Sequence, residues 1–478
     1  MSKELGLTVK KTENFDEWYI QIILKSELAD YSAVSGCMIF RPDAYFIWEQ
    51  IQKVTDENFK KSGIKNVYFP LFIPEKFLSK EKEHVEGFSP EVAWVTHAGN
   101  SKLDERLAVR PTSETIMYPS YAKWIRSWRD LPMRYNQWNN VVRWEFKHAI
   151  PLLRTREFLW QEGHTAFATE KEALAEENEI IKIYRKTTED LLALPGIMGR
   201  KTDKEKFAGA VFTTSIEHLM PDGKAIQGPD FHHDGQNFSR AFDITFLDKN
   251  KKKQYVWQNT FGMTTREIGV MVAIHSDDKG LVLPPKVAPI QVVIIPIYDS
   301  KNRKEILDEA KKLENEIKSR FRIKLDDREE FSPGFKYNEW ELKGVPIRIE
   351  MGPKDIKNKQ VILVRRDTGK KEAVKISNIS SRIKDLLEEI HKSIFNKALD
   401  FLKNNTHEVK TYDELKKVLK KGGFLQVCWC GERSCEDKLK EDTGAKIINI
   451  PSKQGKITSD CIICGKKAKK IVNIAKSY

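Results

Sequence analysis

Residues Asn139–Phe167 read NNVVRWEFKHAIPLLRTREFLWQEGHTAF. Two apolar, aromatic-rich runs flank a proline-containing middle, the pattern of two strands joined by a loop. Arg143, Arg154 and Arg156 stand there beside Glu145, Glu157 and Glu162, more charge than a core-building strand carries. Two chemistries account for it. One is a surface hairpin with cross-strand ion pairs, a common arrangement. The other is a site for a triphosphate, whose partial transfer needs cations fixed around the developing charge. Arginine suits that task, because its planar fork binds phosphate bidentately and stays charged when dry. At strand spacing Arg143 and Glu145 share one face, and Trp160 and Glu162 share one face of the returning strand. Arg154, Arg156 and Phe158 fall on the loop between.

Two further segments bear on the choice. In RLAVRPTSETIMY, residues Thr112, Ser113 and Glu114 follow Arg110-Pro111 as a polar turn opening a helix. That is a helix N-cap with acidic first-turn support, which leaves room for a ligand as well. In WQNTFGMTTREIGVMVAIH a β-like run ends at Gly262, and a buried helix starts with Arg266 in its first turn. A cation there opposes the helix dipole, so an anion is expected opposite it.

Working outward, 478 residues exceed one typical core and predict two or three domains. RPDAYFIWEQIQKVTDENFKKSG predicts a helix, with Pro42 in its first turn and Gly63 past its end. NVYFPLFIP predicts a strand that Pro70 and Pro74 confine to an edge or interface. From Leu103 to Ile274 short β-rich runs alternate with turns and one clear helix, EKEALAEENEIIKIYRKTTEDLLALPG, which suits long excursions between antiparallel strands. Gly280–Pro289, GLVLPPKVAP, is a proline-rich break. Beyond it IQVVIIPIY reads as a strand buried on both faces. A helix, the strands VPIRIEMG and KQVILVRR, and a long helix near Ser381–Lys403 complete an α/β module.

The net charge is +13. Residues 401–478 hold 17 Lys plus Arg against 9 Asp plus Glu, which is +8 of that total. Such an excess suits a polyanionic partner or a lysine-rich solvated surface. Five of six cysteines fall within Cys428–Cys464, and in a reducing compartment this clustering argues for metal. Cys430-x4-Cys435 and Cys461-x2-Cys464 are two chelating pairs suited to tetrahedral zinc, with reduced thiols as the alternative. Cys428 is the extra one, on the preceding strand, although CWC leaves open which cysteine leads. The start of the sequence shows no apolar signal region, and no run approaches the ~18 apolar residues of a membrane span. A cytoplasmic protein without membrane attachment is expected.

Taken together these residues resemble the class II aminoacyl-tRNA synthetases, specifically prolyl-tRNA synthetases of the archaeal and eukaryotic-like type, over essentially the whole chain. The helix and strand ending near Pro70 resemble motif 1, VVRWE through Phe158 motif 2, and GMTTREIGV motif 3. RPTSE and AIQGPDFHHDGQNF are the most specific pieces and favour proline. Motif 3 has fewer glycines here than the class pattern, with only Gly262 and Gly269 near Arg266.

The resemblance implies an α+β catalytic domain on an antiparallel sheet over residues 1–283. An α/β anticodon-binding domain over 284–403 and a small zinc-containing α+β domain over 404–478 would follow. It implies activation of L-proline with ATP and Mg2+, transfer to tRNA, and a homodimer joined through motif 1. Arg143 and Arg266 would be catalytic. ATP would be held by Arg143, Glu145, Arg154, Thr155, Phe158, Thr264 and Arg266, with Gln227 near magnesium. Proline would be held by Thr112, Glu114, Arg143, Trp160, Phe207 and His232. Arg348, Glu350 and Lys354 are expected anticodon contacts, and Cys430, Cys435, Cys461 and Cys464 the ligands of a structural zinc. Bottom-up this is sensible, since a secondary ammonium wants a carboxylate and an apolar ring wants aromatics; Trp160 and Phe207 as core aromatics, and His232 as a satisfied polar residue, are the plainer readings. A sister synthetase for threonine, glycine or histidine, or a non-catalytic RNA-binding subunit, are the competing functions. Between Phe167 and Gly262 the chain must supply a helix, the KFAGA strand region and AIQGPDFHHDGQNF. That leaves no room for the editing domain that bacterial-type prolyl enzymes insert there.

Overall fold

The computed structural model describes residues 6–78, 91–145 and 148–478. Helices α1 (Phe15–Lys25) and α2 (Pro42–Lys61) come first. α2 begins at Pro42 as expected and turns off at Gly63, whose φ of +80° is cheap only for glycine. Its buried stripe includes Ile47, Trp48, Ile51 and Phe59, and each such side chain contributes roughly 1.5–3 kcal/mol on burial.

The expected strand NVYFPLFIP is split. Only β1 (Lys65–Asn66) and a separate strand Phe72–Pro74 form, on different sheets. Pro70 lies in the gap and has no N–H to give to a ladder.

The first unit is built on β1, β2 (Met133–Val142), β3 (Glu157–Phe167), β4 (Ile197–Arg200), β5 (Phe212–Leu219), β6 (Ala225–Gly235) and β7 (Trp257–Thr264). Their spatial order is β1-β2-β3-β7-β6-β5-β4. All neighbours are antiparallel except β1, which runs parallel to β2. The helices α3 (Glu114–Trp124), α4 (Glu170–Arg185) and α5 (Arg266–His275) pack within this unit. α4 opens with a capping box between Thr169 and Glu172. KFAGA is a turn, closed by Ala210 N–H donating to the Phe207 carbonyl at 3.1 Å, and not part of a strand as expected.

The second unit is a five-stranded mixed sheet around Val292–Pro296 and Ile347–Met351, both fully buried and parallel, backed by the helices Arg303–Ile317 and Ile379–Asn404. The strands of the third unit do not stand apart. Lys446–Pro451 pairs with β4, so that the two sheets join into one of eleven strands. Gly199 makes the junction possible: a Cβ there would lie 2.5 Å from the Ile450 carbonyl oxygen. Lys446–Glu205 (2.8 Å) and Lys204–Asp437 (2.5 Å) bridge the same seam.

Candidate active site

Strand alternation sorts the sheet into two faces. His164 and Thr260, Glu162 and Gly262, and Trp160 and Thr264 are register partners between β3 and β7. Asp230 and His232 of β6 lie opposite Gly262 and Thr260. The intervening Phe231 and Phe261 stack at 6.3 Å on the back face, where Phe59 of α2 meets Phe261 at 5.6 Å. Gly163 has no alternative, because a Cβ would sit 2.0 Å from the Phe261 ring.

A cavity of about 520 Å³ opens on the front face. Its wall contains every residue expected there: Thr112, Glu114, Arg143, Glu145, Arg154, Thr155, Phe158, Trp160, Phe207, Gln227, His232, Thr264 and Arg266. Residues more than 150 positions apart meet because α3, the β2–β3 hairpin, β6 and the β7–α5 junction all end at this face.

Arg143 does not lie on a strand with Glu145, as the spacing predicted. β2 stops at Val142, and the chain turns through Trp144 and Glu145 once Arg143 N–H has donated to the Arg156 carbonyl at 2.8 Å. The Arg143 side chain donates from Nε to the Pro111 carbonyl (3.1 Å), with its guanidinium 5.5 Å from the Phe158 ring and 5.7 Å from Trp160. Arg266 is tied by Nε to the Leu153 carbonyl (3.1 Å) and by Nη1 to the Gln227 carbonyl (3.2 Å). Burial lowers its pKa and the Arg143 charge adds to that, with Glu267 opposing. Two cations facing one space at that cost describe an anion site. Arg156 belongs elsewhere: it donates to the Ser35 carbonyl at 2.9 Å and covers the Trp144 ring at 4.1 Å, pinning a neighbouring loop.

At the other end Thr112 donates to Glu114. Ser113, expected to cap α3, makes no side-chain cap bond; it donates to Glu162 instead. Gln137 and Asn139 each donate to the same Glu162 oxygen at 2.7 Å, and His164 Nε2 lies 3.0 Å from the other. Burial pushes Glu162 up, but these bonds outweigh it and hold the carboxyl below its usual value. His164 is raised by the same pairing against its own burial. The pair is a buried, fully bonded floor under Thr112–Glu114. Phe207 packs on His232 at 4.7 Å, and His232 is oriented by Thr213 (2.8 Å) and Asp230 (3.4 Å). Asp230 also accepts from Gln227 Nε2 at 2.7 Å, leaving Gln227 Oε1 as an oxygen donor.

Glu162, His164, Asp230 and Thr260 were not among the expected site residues, yet all line the cavity. Period-two counting along β3 from Trp160, and along β6 from His232, was the available signal.

Arg348, Glu350 and Lys354 lie far along the chain in the second unit. Arg348 pairs with Glu341 (2.9 Å) and Glu350 (3.0 Å), and Lys371 reaches Glu350 at 3.0 Å. Lys354 is exposed on a short helix, Pro353–Lys357.

The sulfurs of Cys430, Cys435, Cys461 and Cys464 all lie within 4.8 Å of one another. Three separations are 3.5, 4.0 and 3.7 Å, against the ~3.8 Å edge of a tetrahedron with Zn–S bonds of ~2.3 Å. Cys428 sits on the strand Phe424–Trp429, outside the cluster.

Three families match the chain: tRNA synthetase class II core domain (G, H, P, S and T) over residues 94–275, anticodon binding domain over 291–386, and prolyl-tRNA synthetase, C-terminal, over 412–478. Among relatives, proline–tRNA ligase 2 of Bacillus thuringiensis subsp. konkukian is 52% identical over 480 residues, covering 100% of both chains. Proline–tRNA ligase of Alkaliphilus oremlandii is 51% identical over 97% of this chain and 96% of its own. The structure of prolyl-tRNA synthetase from Cryptosporidium parvum complexed with halofuginone and AMPPNP superposes with a TM-score of 0.94 at 46% identity, covering 100% of this chain and 98% of that one.

Proposed function

Because the chain belongs to the class II prolyl-tRNA synthetase family, we propose that its cavity binds proline and ATP side by side with Arg143 between them. The activity is that of a proline–tRNA ligase. L-Proline is activated by ATP to prolyl-adenylate with release of pyrophosphate, and the prolyl group passes to the 3′ end of its tRNA. Sister specificities and a non-catalytic role are not favoured by relatives of this identity. The second unit is an anticodon-binding domain.

No side-chain nucleophile is needed, since the substrate carboxylate attacks the α-phosphorus and pyrophosphate leaves. Catalysis is then positioning and charge stabilisation. Arg143, clamped at Nε, turns its terminal nitrogens toward the α-phosphate and the proline carboxylate. Arg266 and Thr264 hold the distal phosphates, Arg154, Thr155 and Glu145 further ATP atoms, and Phe158 the adenine. Thr112 and Glu114 take the imino nitrogen, with Glu114 as its counter-charge. Trp160, Phe207 and His232 wall the ring. Mg2+ would neutralise phosphate charge, and Gln227 Oε1 is a hard oxygen fit to touch it. The observation that carries the reading is the meeting of Arg143, Arg266 and the Thr112–Glu114 pair in one cavity.

Zinc at the four cysteines would be structural, remote from this chemistry. Arg348, Glu350 and Lys354 are proposed to meet the anticodon, Lys354 being the exposed one. A homodimer through the motif 1 face is supported by exposed apolar side chains at Tyr31, Ile39, Tyr45, Tyr68 and Phe72. None of the described helices is long and apolar enough to cross a membrane, and the cytoplasm is the proposed site of action. Proline-dependent ATP–pyrophosphate exchange, compared with threonine, glycine and histidine, tests the specificity. Equal exchange with a sister amino acid would overturn it.

A further inference from the structure

Strand β6 carries one acid more than this assignment uses. Asp230 and His232 reach the cavity, and Asp234 follows two positions on. The pairing with β7 shifts there: His233 faces Asn259 and Gly235 faces Gln258, so Asp234 is the extra residue of a β-bulge. Gly235, at φ +60°, completes the bend. Bulges beside functional sites re-aim side chains. Asp234 is fully buried, and neither carboxylate oxygen has a hydrogen-bond partner among the described residues. Its neighbours are the Thr260 hydroxyl, which favours the ionised carboxylate without reaching full hydrogen-bond geometry, and the Glu114 carboxylate. Both of those residues line the cavity. A buried carboxyl without partners is costly and contributes nothing to a merely structural role.

We propose that Asp234 is a positioning residue of the amino-acid subsite, acting beside Glu114 and through Thr260 to set how tightly the substrate's cationic nitrogen is held. This rests on the assignment of Glu114 as that nitrogen's counter-charge. Burial first, then the Glu114 charge, drives the Asp234 carboxyl well above its ordinary range, with Thr260 opposing. Before substrate arrives this favours the protonated form of Asp234. A secondary ammonium at Glu114 favours ionised Asp234. Proline binding therefore releases a proton, and affinity rises with pH. The other titratable or charged groups lining this cavity are Glu114 from α3, Arg143, Glu145 and Arg154 from the β2–β3 connection, the Glu162–His164 pair from β3, Glu205 and Lys206 ahead of β5, Asp230 and His232 from β6 itself, and Arg266 from α5; β7 contributes only neutral side chains. Those groups are common to the parent protein and an Asp234 variant, so the difference between the two isolates Asp234.

The test is calorimetry of proline binding to the full-length protein in two buffers of different ionisation enthalpy, with Kd followed from about pH 6 to about pH 9. Asp234→Asn is measured alongside, with its melting temperature as a folding check. The parent is expected to release protons and to bind proline more tightly as pH rises, and Asp234→Asn to lose most of both effects. Equal proton release by the two proteins overturns the proposal. If the variant does not fold, the parent decides alone, because binding without proton release refutes it. Glu114→Gln separates the layers. Parental proline affinity in that variant would refute the counter-charge assignment, whatever Asp234 does.

Discussion

Replacing Arg143 by alanine is expected to abolish adenylate formation while leaving the fold standing. Its Nε bond to the Pro111 carbonyl, at 3.1 Å, is the one hydrogen bond its guanidinium makes among the described residues. Losing it costs folding about 1 kcal/mol, a shift of only about 1–2 °C in melting temperature for a chain of this size. The terminal nitrogens face the cavity, and in the proposed pose they make charge-assisted bonds to the α-phosphate and the proline carboxylate. Each is worth about 1.5–3 kcal/mol, so losing both costs about 3–6 kcal/mol. At ~1.4 kcal/mol per decade that is roughly a hundredfold to ten-thousandfold in rate. Arg143→Lys keeps the charge but not the fork, and should fall between. The assay is proline-dependent ATP–pyrophosphate exchange at saturating substrates, with thermal unfolding recorded for each variant. Exchange within about twofold of the parent in folded Arg143→Ala would refute the role given to this residue.

The double variant Cys430→Ser, Cys461→Ser should lose bound zinc by atomic absorption and melt at lower temperature; stoichiometric zinc in it would break the ligand assignment. Alanine should be activated measurably, since each missing methylene contact penalises it by only about 1–3 kcal/mol. The whole interval between β3 and β7 is spent on α4, the sheet and its cover, so supplied alanyl-tRNA should be stable to this chain; rapid enzyme-dependent deacylation would show an editing site. His275 is held by burial at a pKa of about 3, its Nε2 3.0 Å from the Leu192 carbonyl. The unfolded chain takes up this proton below about pH 6.5 and the native one does not, so stability should fall by a few kcal/mol on acidification from about pH 6.5 toward about pH 3. His275→Gln should show a flatter acid limb in denaturant unfolding, and an unchanged limb would count against this histidine.

Much of the site was legible in the sequence because its chemistry demands particular residue types. Arginine suits a triphosphate in a dry cavity, and Arg143 and Arg266 stood on apolar frames. Cys430, Cys435, Cys461 and Cys464 declared a metal site by spacing, and their sulfurs do converge. α2 announced its own ends through Pro42 and Gly63. Such signals are local, carried by backbone constraint and side-chain chemistry within a few residues.

What the tertiary structure decided lies beyond that reach. Where β2 stops determines that Arg143 and Glu145 reach the cavity from a turn and not from a shared strand, and the chain that follows sends Arg154 to the cavity and Arg156 to the Ser35 loop. Ser113 serves Glu162 rather than its helix because β3 passes beneath it. The bulge that places Asp234 beside Glu114, and the pairing of Ile450 with Arg200 that fuses two sheets, arise from register between distant segments. Strand alternation tells which residues share a face. Where a strand ends, what it pairs with and what packs over it are settled by contacts between segments far apart in the chain, and those contacts also set the burial that tunes every charge in the cavity.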